Sequence, residues 1–194
     1  MASDSVLINA LKKAITGESN AKLKYQEYSK IALKEGFKNV AYLFSGLVVA
    51  EQIHIKNHTQ GLRVIDPQEG NFKPTLEPKQ GKTTKENVED AIAGETHEFK
   101  EMYPGLIAET KGEHGENADV TRLSFNWARK VEWTHQEALQ LALKALIEGH
   151  DIQLEEIFIC RVCGNLRLTK SEEVCPVCGH DAEFYTAVKR PEVK

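Results

Sequence analysis

No cysteine precedes Cys160, and all four in this 194-residue chain fall between Cys160 and Cys178. That distribution argues against a secreted disulfide framework, which would spread its bridges through the fold. Two close C-x-x-C pairs in a reducing compartment read instead as metal ligands. The chain also lacks any run of roughly 20 apolar residues, so no membrane span is expected. Its early stretch Val6-Leu7-Ile8-Asn9-Ala10-Leu11-Lys12-Lys13 is amphipathic rather than the continuous apolar core of a signal peptide. A cytoplasmic location follows as the expectation. Nor is there an excess of basic charge: 25 Lys and Arg face 29 Asp and Glu, a formal charge of -4, with no basic stripe to invite nucleic acid. What remains is ordinary for a soluble chain, 41% hydrophobic and 28% charged, of a length that suits one medium domain with or without a small appendage.

Against that background one stretch stands out. Glu51-Gln52-Ile53-His54 lies in an apolar run that reads Val40, Phe44, Leu47, Glu51, His54. Residues three apart on a helix share a face, so a carboxylate and an imidazole point together into whatever this helix buries. The pattern recurs at Glu132-Trp133-Thr134-His135, within a run of helical period from Thr121 to Ala142. Two inward E-x-x-H pairs suggest a metal.

In chain order, helical spacing runs from about Asp4 to Leu33, with Glu18 on the apolar stripe, and Lys34-Glu35-Gly36 breaks it. A second helix spans about Lys38 to Leu62. Glu18 and Glu51 are nearly equidistant from the turn, so an antiparallel hairpin brings both to one height, about 25 Å from it. Pro67, Pro74, Pro78, Gly70 and Gly81 mark an aperiodic crossover from about Val64 to Thr84, long enough to let the third helix run parallel to the second. The third helix starts near Thr84 and carries Val88, Ile92, Glu95, Glu98 or Phe99 and Met102 inward, with a kink or irregular turn expected at Pro104. After Gly112-Glu113-His114-Gly115 a fourth helix continues to about Ile147. The fold class expected is mainly α: a ferritin-like four-helix bundle with one long crossover over residues 1–150. Residues 151–194 are expected to form a small metal-bound β domain. Gly17-Glu18-Ser19 ahead of the first E-x-x-H and Gly94-Glu95-Thr96 ahead of the second suggest a duplicated hairpin.

The terminal knuckles Cys160-Arg161-Val162-Cys163-Gly164 and Cys175-Pro176-Val177-Cys178-Gly179 place four thiolates around one tetrahedral metal. Phe158, Phe184 and Tyr185 are expected to cover it, since so short a segment needs a staple. In the bundle, Glu18, Glu51, His54, Glu95, Glu98, Glu132 and His135 converge. Without cations, five buried carboxylates would repel and largely protonate. Two divalent ions resolve the conflict, and Glu98 exceeds the usual ferritin-like set of four Glu and two His. Charge counting gives the extra carboxylate a use: four carboxylates balance two Fe(II), while the harder Fe(III) favours Glu98 over His54 on one iron. A redox-linked ligand exchange is the expectation.

These residues are similar to the pattern of the rubrerythrin family. The likeness is carried by Gly17-Glu18-Ser19-Asn20-Ala21, Glu51-x-x-His54, Glu95-Thr96-His97-Glu98 running into Glu101-Met102-Tyr103-Pro104, Glu132-x-x-His135 and the two C-x-x-C pairs, and it spans nearly the whole chain. The resemblance implies a non-haem diiron peroxidase that reduces hydrogen peroxide to water in oxidative-stress defence. It implies two irons in the bundle and a rubredoxin-like C-terminal β domain with one iron on Cys160, Cys163, Cys175 and Cys178, relaying electrons from an external donor such as a rubredoxin or an NAD(P)H-linked reductase. It also implies that Glu51 and Glu132 bridge the irons, that Glu18 and Glu95 are terminal, that His135 stays bound, and that Glu98 and His54 exchange. Tyr25 and Tyr103 match tyrosines that hydrogen-bond near the ligands.

Other readings stay open from the residues alone. Zinc fits four cysteines as well as iron does, and a ferroxidase or iron-handling role competes with the peroxidase, as does a non-enzymatic metal-binding module. His58 and His97 read as outer-shell or surface residues; His114, His150 and His180 fall in loops without a role; Trp127 and Trp133 read as packing residues. His135 stands about 13 residues before the end of its helix, which puts roughly 20 Å between the bundle site and the tail that follows. Electron delivery from a partner subunit in a head-to-tail homodimer is therefore expected, with helix exchange between chains left open by the 64–84 loop.

Overall fold

A computed structural model describes residues 2–170 and 172–192. Helix α1 (Ala2–Glu35) and helix α2 (Lys38–Ile65) form the first hairpin, turning at Gly36, whose φ of 92° is a left-handed value that glycine takes without penalty. The crossover over residues 66–83 holds one short turn of 3-10 helix at Glu69–Asn71. It is tied to α1 along its course: Lys12 Nζ lies 2.7 Å from Glu69 and over the ring of Phe72, and Asn20 Oδ1 accepts from Glu77 N at 2.9 Å.

Helix α3 (Thr84–His97) opens with a capping box in which Thr83 and Glu86 satisfy each other's backbone N–H. Thr84 N also donates to Glu35 at the end of α1, 2.8 Å away. The third helix thus starts beside the first turn and runs parallel to α2, as the crossover length predicts.

The irregularity expected at Pro104 is a π-helical turn, Glu98–Met102, that joins α3 to helix α4 (Tyr103–Glu109). Proline has no N–H and its ring crowds the carbonyl four residues back, here Lys100, so the widened turn is where the ladder yields. It yields at Glu98. Helix α5 (Glu116–Ile147) completes the bundle.

Beyond α5 the chain doubles back. Asp151 accepts from the N–H groups of Asn39 and Val40 at 2.7 and 3.1 Å, capping α2 with a residue more than a hundred positions away. Strands β1 (Phe158–Cys160), β2 (Leu166–Arg167) and β3 (Tyr185–Ala187) then form an antiparallel sheet in the order β2-β1-β3. Ile152, Ile157, Ile159 and Leu166 pack into the same apolar cluster as Phe44 and Leu47 of α2 and Leu139 of α5. Tyr42 fixes the seam, donating to Val188 O and accepting from Ile157 N. Arg190 lies 4.3 Å over the Tyr42 ring and donates to Asn39, Leu154 and Glu155.

Residues 148–157 run back along α2 instead of leaving the helix end, so within one chain the tail lies against the bundle and the separation of roughly 20 Å expected from helix length is not found. Among the described residues no helix is long and apolar enough to cross a membrane.

Candidate metal centres

Four helices deliver seven ionisable side chains to the middle of the bundle. Glu18, Glu51, Glu95, Glu132 and His135 are fully buried, and His54 and Glu98 nearly so. Two overlapping groups of donor atoms emerge, Glu18 with Glu51, His54 and Glu132, and Glu51 with Glu95, Glu132 and His135. Glu51 and Glu132 belong to both. Glu51 turns Oε2 toward His54 Nδ1 (3.0 Å) and Oε1 toward His135 Nδ1 (3.5 Å), while Glu132 turns Oε1 to His54 (3.1 Å) and Oε2 to His135 (2.9 Å). Oxygen and nitrogen ligands about 2.1 Å from one cation at right angles lie about 3.0 Å apart, so these spacings suit donors converging on ions.

The hydrogen-bond inventory makes the same point. Both oxygens of Glu51 and Glu132, one each of Glu18, Glu95 and Glu98, and Nδ1 of both histidines are buried without a hydrogen-bond partner. Native interiors rarely leave such groups unsatisfied. Here they face one another, which fits a cation-binding set.

The electrostatics follow from burial. It pushes the Glu51, Glu95 and Glu98 carboxyls up, with neighbouring carboxylates adding to the rise at Glu51 and Glu98. Burial also opposes charge on the two imidazoles, yet Glu132 and Glu18 hold His54 well above the ordinary histidine value, and Glu95, Glu132 and Glu51 do so for His135. Glu132 would rise on burial, but the two imidazoles beside it hold it down to about 2. Protons play the part that cations would take.

Around the donors, Tyr25 donates to Glu95 Oε1 at 2.5 Å and Tyr103 donates to Glu18 Oε1, the placement expected of both tyrosines. Glu98 is not in either donor group; it is buried on the π-helical turn with Oε2 unpartnered. His97 is on the surface, paired with Glu101.

The four thiols form a third group. Cys160 and Cys178 Sγ are 3.7 Å apart, and Cys163 and Cys175 Sγ 3.6 Å. Those are far beyond a disulfide bond, and close to the edge of about 3.8 Å for a tetrahedron with metal–sulfur bonds of about 2.3 Å. Phe184 and Tyr185 pack on the thiols as expected, joined by Val131 and Trp127 of α5; Phe158 is not in that cluster.

The two centres touch. His54 Nε2 lies 3.1 Å from the carbonyl oxygen of Cys163, and Asn57 Nδ2 donates to Val162 O at 2.8 Å. A donor hydrogen on Nε2 leaves Nδ1 with its lone pair directed at the carboxylates, the tautomer a metal ligand needs. Gly164 makes the approach feasible: a Cβ there would sit 2.7 Å from His54 Nε2, and its φ is +87°.

A family model described as rubrerythrin matches residues 9–143. The chain belongs to the rubrerythrin family. It is 33% identical to a rubrerythrin of Porphyromonas gingivalis, with 91% of this chain and 86% of that one covered, and 31% identical to rubrerythrin-2 of Clostridium acetobutylicum, covering 91% and 94%. A solved structure of nigerythrin in its fully reduced, all-ferrous state superposes with a TM-score of 0.82 at 28% identity, covering 93% of this chain and 86% of that one. In this rubrerythrin the bundle carries a carboxylate–histidine diiron site and the C-terminal segment a four-cysteine metal site. Rubrerythrins are diiron oxidoreductases associated with oxidative stress.

His58 lies in the outer shell, one of the two places expected for it, fully buried between Tyr103 and Ser124 and in neither donor group. Sequence reasoning missed its two contacts and the Asp151 cap. The signal was available: His58 stands one turn beyond His54 on the same helical face. The Asp151 cap carried no local signal.

Proposed function

We propose that this rubrerythrin is a non-haem diiron peroxidase that reduces hydrogen peroxide to water. The observation that carries the reading is the 3.1 Å contact between His54 Nε2 and Cys163 O, which puts the four-thiol site directly against the seven-donor site. Iron storage or ferroxidase chemistry gives that contact no use; a reductase must refill its electrons. Two irons held by these residues would supply the pair of electrons that cleaves the O–O bond, and two protons complete two waters.

The chain's own residues then take these roles. Glu51 and Glu132, shared by both donor groups, would hold both irons, Glu18 and Glu95 one each, and His135 would stay a constant ligand. His54 would hold its iron in one oxidation state and Glu98 would take its place in the other. Support for the last assignment is that His54 stands in the donor group while Glu98 is held just outside, buried, on the turn where the helix widens. Tyr25 and Tyr103 orient Glu95 and Glu18 by hydrogen bonds. Residues 1–150 house the diiron unit and 151–194 the relay, which accepts electrons from an external donor, a rubredoxin or an NAD(P)H-linked reductase, in a cytoplasmic setting. A homodimer is the proposed assembly, and the His54–Cys163 contact also gives electrons a route within each chain.

The visible spectrum tests the reading. An Fe(III)–thiolate band should bleach on reduction and return when peroxide is added. A colourless zinc-only cysteine site, or a bleached band that peroxide does not restore, refutes it. Mixing Cys163→Ala with Glu132→Ala protein under subunit exchange tests the route: delivery within one chain predicts no recovered turnover, and recovery would place delivery between subunits of a homodimer.

A further inference from the structure

His58 belongs to neither donor group, yet it is wholly buried and both ring nitrogens have partners. Nε2 is 2.9 Å from the Tyr103 hydroxyl and Nδ1 is 2.9 Å from Ser124 Oγ. The partners fix the direction of each bond. Tyr103 gives its only hydroxyl hydrogen to Glu18 Oε1, so its oxygen must accept from His58 Nε2–H. His58 Nδ1 is then a bare acceptor, and the Ser124 hydroxyl donates to it. Ser124 Oγ has a second acceptor in reach, the carbonyl of Thr121 at 3.1 Å, and it is half-buried at the surface of α5. The result is an unbroken hydrogen-bonded file from solvent to Glu18, every bond pointing the same way. Burial, with His54 nearby, holds His58 down to about 3, so the imidazole is neutral and able both to give and to take.

We propose that Ser124, His58 and Tyr103 form a proton path that feeds the Glu18 end of the diiron site from solvent. The proposal rests on the peroxidase reading, because it supplies protons that this reduction consumes. One transfer balances as follows. Water gives a proton to Ser124 Oγ, whose own hydrogen passes to His58 Nδ1. The Nε2 hydrogen moves to the Tyr103 oxygen, and the Tyr103 hydrogen moves to Glu18 Oε1. Ser124 now donates to Thr121 O and the file points outward. The transfer itself leaves no charge on the imidazole and ends with His58 as the Nδ1–H tautomer. The file resets once Glu18 has passed its proton on, the ring has given its Nδ1 hydrogen to a water and taken one from water at Nε2, and the two hydroxyls have rotated back. Phe125 packs against both His58 and Tyr103 and flanks the file with apolar surface.

His58 is a positioning residue, acting through Tyr103, so its test needs a readout that packing alone would not move. Long-range 1H–15N spectra of the full chain loaded with zinc in place of iron should show His58 as the neutral Nε2–H tautomer between about pH 5 and 8. An Nδ1–H tautomer or an imidazolium overturns the path, and this arm does not depend on turnover. In the iron-loaded protein, His58→Gln keeps both hydrogen bonds, with the amide N–H toward Tyr103 and the amide oxygen toward Ser124, but conducts no proton. Its kcat should fall about tenfold or more, with unchanged KM and a larger solvent deuterium isotope effect. Ser124→Ala, at the half-buried end where a folding defect is not expected, should do the same. Wild-type kcat and isotope effect in both variants would overturn the path. If wild-type protein does not reduce peroxide, the peroxidase reading fails, and the spectra still decide the arrangement of the file.

Discussion

Replacing Gly164 with alanine should uncouple the two metal centres while leaving each able to bind its metal. The perturbation has two parts. At φ +87° a Cβ costs about 1–2 kcal/mol of backbone energy, and it would stand 2.7 Å from His54 Nε2, 3.1 Å from Cδ2 and 3.2 Å from the Ala50 carbonyl. Ordinary contact begins near 3.4 Å, so the knuckle and the imidazole must part by upwards of half an ångström. Overpacking of this kind costs about 1–3 kcal/mol, and the lost bond to Cys163 O about 1 kcal/mol more. Gly179 provides the control. It holds the equivalent place in the second knuckle at φ +74°, with nothing within 4 Å of its Cβ position, so Gly179→Ala carries the backbone cost alone. The assay is stopped-flow absorbance of the ferric–thiolate band after fully reduced protein meets peroxide. Gly164→Ala should oxidise its four-thiol iron several-fold more slowly than Gly179→Ala, and melt lower by about 4–8 °C, taking about 2 kcal/mol of excess cost. Equal rates and equal melting in the two variants would refute the claim that the His54–Cys163 contact is the route.

Asp151→Ala removes the cap on α2 from the segment that carries the cysteines, and should cost about 1 kcal/mol with faster hydrogen exchange at Asn39 and Val40; unaltered exchange there would show the cap to be idle. Stripping the bundle metals should lower the melting temperature by about 5–10 °C, and two equivalents of divalent ion should restore it, since binding at a hundred times Kd contributes about 2.7 kcal/mol. An unshifted melt would mean the buried carboxylates are satisfied without cations. For His58 the folded pKa of about 3 lies below the unfolded value near 6.5, so its contribution is complete above about pH 6.5 and is lost as pH falls toward 3. At about 1.36 kcal/mol per unit the full loss approaches about 5 kcal/mol. Urea titrations should therefore show a shallower acid limb for His58→Gln than for wild type; parallel limbs would contradict a neutral buried imidazole.

The candidate ligands were legible because their chemistry contradicts their position. A carboxylate at Glu51 and an imidazole at His54, set where an apolar stripe calls for leucine, can be read from helical period alone, as can Glu18, Glu132 and His135. Equal distances from a turn placed Glu18 beside Glu51, and three prolines announced the crossover. Four cysteines at knuckle spacing are a local pattern, and local patterns survive in one dimension. The π-helical turn was half legible: Pro104 foretold a disturbance, but whether the ladder kinks, breaks or widens depends on what packs against it.

The sequence by itself thus determined the helices, the two sets of donors and the family. Tertiary structure alone decided that the cysteine segment folds back on its own bundle, because that outcome turns on Asp151 meeting Asn39, on Tyr42 meeting Val188 and on the missing side chain of Gly164. These contacts join residues more than a hundred positions apart, and no periodicity records them. Helix length suggested separation where packing produced contact: the rise per residue fixes how far a helix extends, while burial of Ile152, Ile157 and Ile159 fixes where the chain goes next.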